Sequence, residues 1–307
     1  MSGPPPRIII ANAPVSFGAF EVTVGIDPNT PAAEAVLDAV AEAGYQGIDL
    51  GPVGYLGQGD QLAERLSRRK LGLSGAYLEL PFSEPESLQE MLPQLDALLD
   101  SLDSVSGIGA LPPRPTLGDF SNTARRAKPG QAVRDHRLGL DEAGFARFVT
   151  GVERVADHCR GRGYEPTFHN ETGTFIEAPW EIERMLEKTS VGLCLDTGHL
   201  IIGGGDPLKA LKDWGTRINH LHVKDARSAA IAEIVLDAAP AEAIWERGAF
   251  CALGQGDLPL DAIFRLVRET FSGWLVIEQD ILPSPEGIAR AAADQRANLA
   301  VLRHHGL

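Results

Sequence analysis

Four apolar, strand-like runs in the second half of the chain end in side chains of the types that bind metal ions. They end at Glu171, Asp196, His222 and Glu278, so the intervals are 25, 26 and 56 residues. The first two intervals match one strand plus one helix of a parallel α/β fold, and the third leaves room for an inserted loop. Carboxylates with one imidazole favour Mn²⁺, Mg²⁺, Co²⁺ or Fe²⁺ over a structural zinc ion, which prefers thiolates. The pattern predicts one divalent ion at one rim of the fold.

Strand-like and helix-like segments alternate along the chain, and they must position that rim. Eight strands are predicted, at residues 8–12, 47–50, 73–80, 104–110, 166–170, 192–196, 218–223 and 274–278. Eight helices are predicted between and after them, at residues 31–43, 60–69, 85–102, 141–160, 179–188, 207–214, 259–270 and 285–303. This alternation predicts a single α/β domain over residues 1–307, a (β/α)8 TIM barrel, in which catalytic groups stand at the C-terminal ends of strands.

Two long stretches interrupt the alternation, one after strand four and one after strand seven. Residues 225–255 have a helix-like middle at 229–235. Residues 111–140 are rich in proline and carry a basic cluster of Arg125, Arg126, Lys128, Arg134 and Arg137. Long loops at this rim are usually functional or disordered. We therefore expect residues 111–140 to close over the barrel mouth or to dock a partner, and a solvated loop without such a role is the alternative.

Composition and charge restrict the partners. The formal net charge of −14 argues against nucleic acid and against an anionic membrane, because either would need a basic face. Three cysteines without a CxxC motif suit a reducing cytoplasm. The first residues, Met1 to Arg7, lack the apolar stretch of a signal peptide. No run approaches the ~20 apolar residues of a membrane span. We expect a cytoplasmic protein that acts on a small molecule.

The local sequences resemble the xylose-isomerase-like TIM-barrel superfamily, and within it the myo-inosose dehydratases. The resemblance covers nearly the whole chain and is densest between about Tyr164 and Asp280. It rests on the motifs Phe168-His-Asn-Glu-Thr-Gly-Thr174, Leu195-Asp-Thr-Gly-His-Leu200, His220-Leu-His-Val-Lys-Asp-Ala-Arg227, Gly254-Gln-Gly-Asp257 and Gly273-Trp-Leu-Val-Ile-Glu278. It implies one divalent ion, often Mn²⁺ or Co²⁺, held by an acid after strand five together with Asp196, His222 and Glu278. It also implies a polyhydroxy ketone as substrate.

The strand-five motif departs from the family pattern. The dehydratases carry a His-rich triplet before Gly-Thr, whereas this chain has His169, Asn170 and Glu171. His169 and Glu171 are two positions apart, so they point to the same side of an extended segment. We predict that Glu171 is the metal ligand and that His169 is the acid/base group beside it. The reverse assignment stays open.

Further residues at the strand ends are candidates for contacts with substrate. In the superfamily the position of His199 touches a substrate oxygen, and a supporting or capping role is its alternative. Lys224 is expected to point inward to a substrate hydroxyl or carbonyl, whereas Arg227 either binds an anion or is solvated. Asn12 ends strand one and is a candidate for substrate binding or for a purely structural role.

The predicted chemistry begins with removal of a proton next to a ketone. The ion would stabilise the resulting enediolate, and Glu171, Glu278 or His169 would take the proton. Loss of a β-hydroxyl then makes a dehydratase, for which 2-keto-myo-inositol is the preferred substrate.

Return of the proton to a neighbouring carbon makes an isomerase or 3-epimerase instead. A further alternative is the catalytic subunit of an enzyme that cleaves keto-C-glycosides. A homo-oligomer or a small partner subunit stays open. The net charge and the eight histidines argue against a multi-zinc apurinic-site endonuclease, and the complete ligand set argues against a non-catalytic sugar-binding barrel.

Overall fold

Eight parallel strands close into a barrel in the computed structural model, which describes residues 7–285 and 287–307. In chain order the barrel strands are Ile8–Asn12, Gly47–Ile48, Gly75–Leu80, Arg114–Asp119, Thr167–His169, Gly192–Asp196, Ile218–Val223 and Gly273–Ile277. The first strand pairs with the last, from Ile8 opposite Gly273 to Asn12 opposite Ile277. A short strand, Gly72–Leu73, pairs with the second strand and leads through Ser74 into the third. The predicted (β/α)8 fold is confirmed.

Helices on the outside of the barrel follow the predicted order. They are Ala33–Ala43, Gly59–Arg69, Pro85–Ser104, Glu142–Gly161, Pro179–Lys188, Pro207–Asp213, Leu260–Thr270 and Gly287–His304. Each buries one face, as Leu260–Thr270 does with Leu260, Ile263, Phe264 and Val267 at helical spacing. The last helix was predicted to begin at residue 285, but Glu286 lies outside the described residues. Residues 1–6, for which the lack of an apolar stretch was noted, also lie outside them. None of the described helices has the length and apolar character needed to span a bilayer.

The fourth strand was predicted in the wrong place. Residue 104 ends the helix Pro85–Ser104, and Gly107 and Gly109 in the turn that follows adopt positive φ angles of 78° and 88°. Left-handed backbone of this kind breaks an extended run. The strand lies instead at Arg114–Asp119, inside the stretch predicted as loop, with Pro115 at its second position. A proline so near the start of a strand removes only one donor from the ladder.

The segment that follows the fourth strand is anchored by a buried arginine. It contains two short helices, Thr123–Arg126 and His136–Leu138. Arg125 is only 1 % exposed, and its guanidinium donates to Glu181 at 2.6 Å and to Glu177 at 2.9 Å. The expectation that Arg125 faces substrate or a partner is therefore wrong, because its charge is neutralised inside the protein. For the other basic residues of the segment, the role stays a prediction.

The segment after the seventh strand folds into a small lobe of its own. It has the helices Ser228–Leu236 and Ala243–Glu246 and a two-stranded antiparallel ribbon of Asp225–Ala226 and Phe250–Cys251. The carboxylate of Asp225 organises the lobe, since it accepts from the backbone N–H groups of Ala226, Gly254, Gly256 and Leu258 at 2.8–3.1 Å. The helix-like middle predicted at 229–235 is confirmed.

The floor of the barrel interior is apolar. Trp274 packs there with Ile9, Ala11 and Val276, and its indole N–H donates to the carbonyl of Pro112 at 3.0 Å. Gly47 makes room for the indole, because a Cβ at that position would lie 2.6 Å from the ring. Because apolar side chains fill this part of the interior, its polar side chains lie toward the C-terminal ends of the strands.

Candidate active site

The predicted metal ligands stand inside the barrel at the ends of neighbouring strands. Asp196 pairs in register with His222, and His222 pairs with Val276, two residues before Glu278. Residues in register on parallel strands point to the same face, so these three side chains converge. They are 0 %, 4 % and 6 % exposed. The alternation of the strands thus places them in one buried cluster.

Asp196, His222 and Glu278 form a set that fits a divalent ion. One ligand atom from each lies within 4.8 Å of the others. His222 Nδ1 is 3.2 Å from Glu278 Oε2 and 3.8 Å from Asp196 Oδ2. Both ring nitrogens of His222 and Asp196 Oδ2 are buried without a hydrogen-bond partner among the described residues. Unsatisfied buried groups are costly, and a cation shared with Glu278 would satisfy Asp196 Oδ2 and one ring nitrogen of His222.

The strand-five pair lies on the other side of Asp196. His169 Nε2 is 3.4 Å from Asp196 Oδ2, and His169 Nδ1 is 3.4 Å from Glu171 Oε2. The other oxygen of Glu171 is 3.1 Å from His199 Nδ1. His169 belongs to a second group of close ligand atoms, with Cys194 and His222, whereas Glu171 belongs to none of the groups found among the described residues. His169 is therefore nearer to the other ligands than Glu171 is.

Lys224 lies among the carboxylates. Its Nζ is 3.2 Å from Asp196 Oδ2, 3.1 Å from Glu278 Oε2 and 3.0 Å from Asp280 Oδ2. Burial alone would lower the pKa of Lys224, but the three carboxylates raise it well above its ordinary value. Burial would likewise raise the pKa of Glu278, but His222 and Lys224 outweigh it and lower this pKa to about 2. Both shifts favour the charged forms of Lys224 and Glu278.

A hydrogen-bond network holds Asp196 and His199 in place. Asn170 donates to the carbonyl of Asp196 at 3.1 Å and accepts from its N–H at 2.9 Å. Asp196 Oδ1 caps the short helix Thr197–Ile202 by accepting from the backbone N–H of His199 at 2.9 Å. The ring of His199 contacts Thr172 Oγ1 at 2.9 Å and Lys224 Nζ at 3.0 Å. His199 therefore lies within the cluster.

Two predicted substrate contacts lie elsewhere. Asn12 donates outward to the carbonyl of Ile277 at 3.0 Å and to Gln295 at 2.8 Å, because Ala11 and Ala13 are the residues of its strand that face the interior. Arg227 is exposed, and its guanidinium donates to the carbonyl of Gly248 at 2.6 Å. The structure does not bring either side chain to the cluster.

The xylose isomerase-like TIM barrel family matches residues 37–299. The chain belongs to this family. It is 26 % identical over 260 residues to an inosose dehydratase of Lacticaseibacillus casei, covering 82 % of this chain and 83 % of that one. It is also 26 % identical over 255 residues to an inosose dehydratase of Geobacillus kaustophilus (strain HTA426), covering 82 % and 81 % of the two chains.

Solved structures show the same fold. A D-allulose 3-epimerase from Methylomonas sp. superposes with a TM-score of 0.67 at 14 % identity, over 99 % of this chain and 100 % of that chain. A probable 3-DHS dehydratase from Bacillus anthracis superposes with a TM-score of 0.66 at 14 % identity, over 96 % and 98 % of the two chains. With its inosose dehydratase relatives, this member of the family is a sugar-modifying enzyme.

Within this xylose isomerase-like barrel, two groups near Lys224 were missed by sequence reasoning. Asp280 follows Glu278 by two positions, and that spacing was the available signal for its inward direction. Burial raises the pKa of Asp280 to about 6, although Lys224 acts in the opposite direction. Phe250, from the lobe after the seventh strand, covers the cluster: its ring centroid is 5.6 Å from that of His199 and 5.4 Å from Lys224 Nζ. No sequence pattern marked Phe250.

Two ionisable side chains beside Lys224, those of Glu171 and His199, have shifted pKa values in this family member. Burial raises the pKa of Glu171 well above its ordinary value, against the pull of Lys224. Burial also lowers the pKa of His199 well below its ordinary value, and Lys224 lowers it further. The Glu171 carboxyl and the His199 ring lie 3.1 Å apart, within hydrogen-bonding distance of each other. The arrangement suits proton transfer to and from a bound substrate.

Proposed function

We propose that the chain is a divalent-metal-dependent lyase that removes water from a cyclic keto-polyol, with 2-keto-myo-inositol as the substrate. The observation that carries the proposal is the buried cluster of Asp196, His222 and Glu278, with ligand atoms within 4.8 Å of one another. The choice of substrate rests on the relatives named inosose dehydratase, which align over about four fifths of both chains.

Oxygen and nitrogen donors from Asp196, His222 and Glu278 would hold the ion, and a set of carboxylates and imidazole without a thiolate favours Mn²⁺, with Co²⁺, Mg²⁺ and Fe²⁺ as its competitors. When bound, a divalent ion polarises a carbonyl oxygen and so acidifies the adjacent C–H group. Lys224, whose Nζ lies 3.0–3.2 Å from three carboxylates, supplies positive charge at the edge of the same site.

Glu171 is the proposed base. Its carboxylate would take the proton from the carbon next to the carbonyl and leave an enediolate on the substrate. The raised pKa of Glu171 makes its ionised form a stronger base than an ordinary carboxylate. The β-hydroxyl leaves as water after it receives the proton that Glu171 removed, and His199, 3.1 Å from Glu171, is placed to orient that carboxyl group.

In this proposal His169 is the fourth metal ligand, which is the reverse of the preferred sequence-based assignment. The support is that His169 Nε2 lies 3.4 Å from Asp196 Oδ2. His169→Ala should then lower the Mn²⁺ content, whereas Glu171→Gln should keep the ion and reduce turnover by ~10²–10⁴-fold, as expected for loss of a general base. Metal analysis of the two purified variants decides between the assignments, and the opposite pattern would restore Glu171 as the ligand.

A panel of keto-inositols and ketoses, incubated with Mn²⁺-loaded protein, tests the reaction itself. The proposal expects 2-keto-myo-inositol to give a product lighter by one water, with the ultraviolet absorbance of an enolised dione. A ketose converted into a new sugar of unchanged mass, with no turnover of the keto-inositol, would make the enzyme an isomerase or epimerase.

A further inference from the structure

A buried thiol lies directly below the carboxylates of the candidate site. Cys194 is two positions before Asp196 on the sixth barrel strand, so both side chains point into the barrel. It pairs in register with His169 on the fifth strand and with His220 on the seventh. Its side chain is 0 % exposed. The proposed dehydration makes no use of this thiol.

Cys194 lies within reach of two imidazoles. Single ligand atoms of His169, Cys194 and His222 lie within 4.8 Å of one another, and all three residues are buried. His169 Nδ1 and both ring nitrogens of His222 have no hydrogen-bond partner in the part of the chain that the structure describes. A fourth donor is close, because Asp196 Oδ2 is 3.4 Å from His169 Nε2 and 3.8 Å from His222 Nδ1. Asp196 therefore adjoins both imidazoles of this group.

We propose that His169, Cys194 and His222 form a second metal site, with Asp196 as fourth ligand, for a thiophilic ion such as Zn²⁺ or Cd²⁺. Thiolate and imidazole are the ligands that these ions prefer, and four of them complete a tetrahedron. Zn–N and Zn–S bonds place neighbouring ligand atoms about 3.3–3.7 Å apart in a tetrahedron. The ligand atoms of His169, Cys194 and His222 would therefore have to move about 1 Å closer to one another than the upper limit of 4.8 Å. The thiol proton leaves to solvent when the ion binds.

The two sites exclude each other, because both use His169, His222 and Asp196. The carboxylate site holds a hard ion and can leave a position open for substrate, whereas a site closed by four protein ligands leaves none. A thiophilic ion therefore inhibits the enzyme by displacing the hard ion rather than by supporting the reaction. This inference goes beyond the proposed function, since it requires neither the substrate nor the chemistry.

The ultraviolet spectrum of the Cd²⁺-loaded protein tests the thiolate ligand directly. One equivalent of Cd²⁺ added to metal-free protein should produce a thiolate-to-cadmium charge-transfer band. A double variant, Cys159→Ser with Cys251→Ser, retains Cys194 as its sole thiol and should keep the band, and Cys194→Ser should lose it. The other two cysteines are also buried, which makes them matched controls.

Competition with Mn²⁺ tests the exclusion. Zn²⁺ should release bound Mn²⁺ one for one, as followed by the electron paramagnetic resonance signal of free Mn²⁺. The Zn²⁺ concentration that releases half of the bound Mn²⁺ should be higher in Cys194→Ser than in the parent. The increase should exceed ~10–100-fold, which is the loss of metal affinity expected when only a supporting hydrogen bond is removed.

The absence of a band in the double variant would overturn the inference, as would Cd²⁺ and Mn²⁺ bound together at one ion each. Failure of the dehydratase assay leaves these spectra unchanged, so the two proposals fail separately.

Discussion

The buried arginine after the fourth strand makes the clearest prediction about stability. Arg125 donates to Glu181 Oε1 at 2.6 Å and Oε2 at 3.0 Å, and to Glu177 Oε2 at 2.9 Å. The two carboxylates are 3 % and 0 % exposed, so water cannot replace the guanidinium. Arg125→Ala would leave both charges buried without compensation. The segment that follows the fourth strand would lose its anchor at the same time.

The expected magnitude follows from that burial. Removal of one partner from a buried ion pair costs about 3–5 kcal/mol. An unfolding entropy of about 2.1 cal/mol/K per residue, summed over 307 residues, converts this cost into a drop in melting temperature of about 5–8 °C. The neighbouring Arg126 is the matched control, because its ion pair with Glu242 is 38 % and 50 % exposed. Exposed pairs are worth 0–1 kcal/mol, so Arg126→Ala should lower the melting temperature by less than about 2 °C.

Differential scanning calorimetry of the parent and the two single variants measures both values. Urea unfolding provides the free energies independently of temperature. Equal melting temperatures for Arg125→Ala and Arg126→Ala would refute the reasoning, since they would mean that the buried network of Arg125, Glu177 and Glu181 is worth no more than a surface pair.

Three further predictions concern the barrel interior. Lys224→Met should destabilise the metal-free protein by about 3–5 kcal/mol, and Mn²⁺ should raise its melting temperature more than the parent's, because a bound cation replaces the lost ammonium group; equal Mn²⁺-induced shifts would count against this. Glu278→Gln should weaken Mn²⁺ binding by at least ~10-fold, measured by calorimetric titration, with Glu246→Gln on a surface helix as control. Burial raises the pKa of Asp119 to about 7, so its ionisation opposes folding. The free energy of unfolding of Asp119→Asn should therefore increase by about 2–4 kcal/mol relative to that of the parent as the pH rises from 4 to 7. A difference in urea midpoints between the two proteins that does not change with pH would contradict this.

The fold was predictable because strand and helix signals alternate with little interruption. Seven of the eight predicted strands overlap the observed ones, since their apolar runs have the length and the flanking turns of buried parallel strands. The fourth strand was missed for a local reason. Pro115 argues against a strand at 114–119, and the segment predicted as a strand, 104–110, contains Gly107 and Gly109, which adopt left-handed backbone.

The candidate site was predictable only as far as strand ends can be recognised. Asp196, His222 and Glu278 each end a strand, so barrel geometry alone brings them together. The position of His169 relative to Glu171 depends on how the backbone leaves a three-residue strand, Thr167–His169, and sequence does not record that. The spacing from Glu278 was a signal for Asp280, whereas Phe250 and the buried partners of Arg125 depend on contacts between distant segments, which one sequence cannot reveal.

The central claim is that one divalent ion, held by Asp196, His222 and Glu278, is required for loss of water from a keto-polyol. The most direct test titrates metal-free protein with Mn²⁺ and records bound ion and the rate of water loss from 2-keto-myo-inositol in the same samples. If one ion is required, the rate of water loss rises in proportion to bound Mn²⁺ and levels off at one ion per chain. Full activity in the metal-free protein, or no water loss at full occupancy, would contradict it.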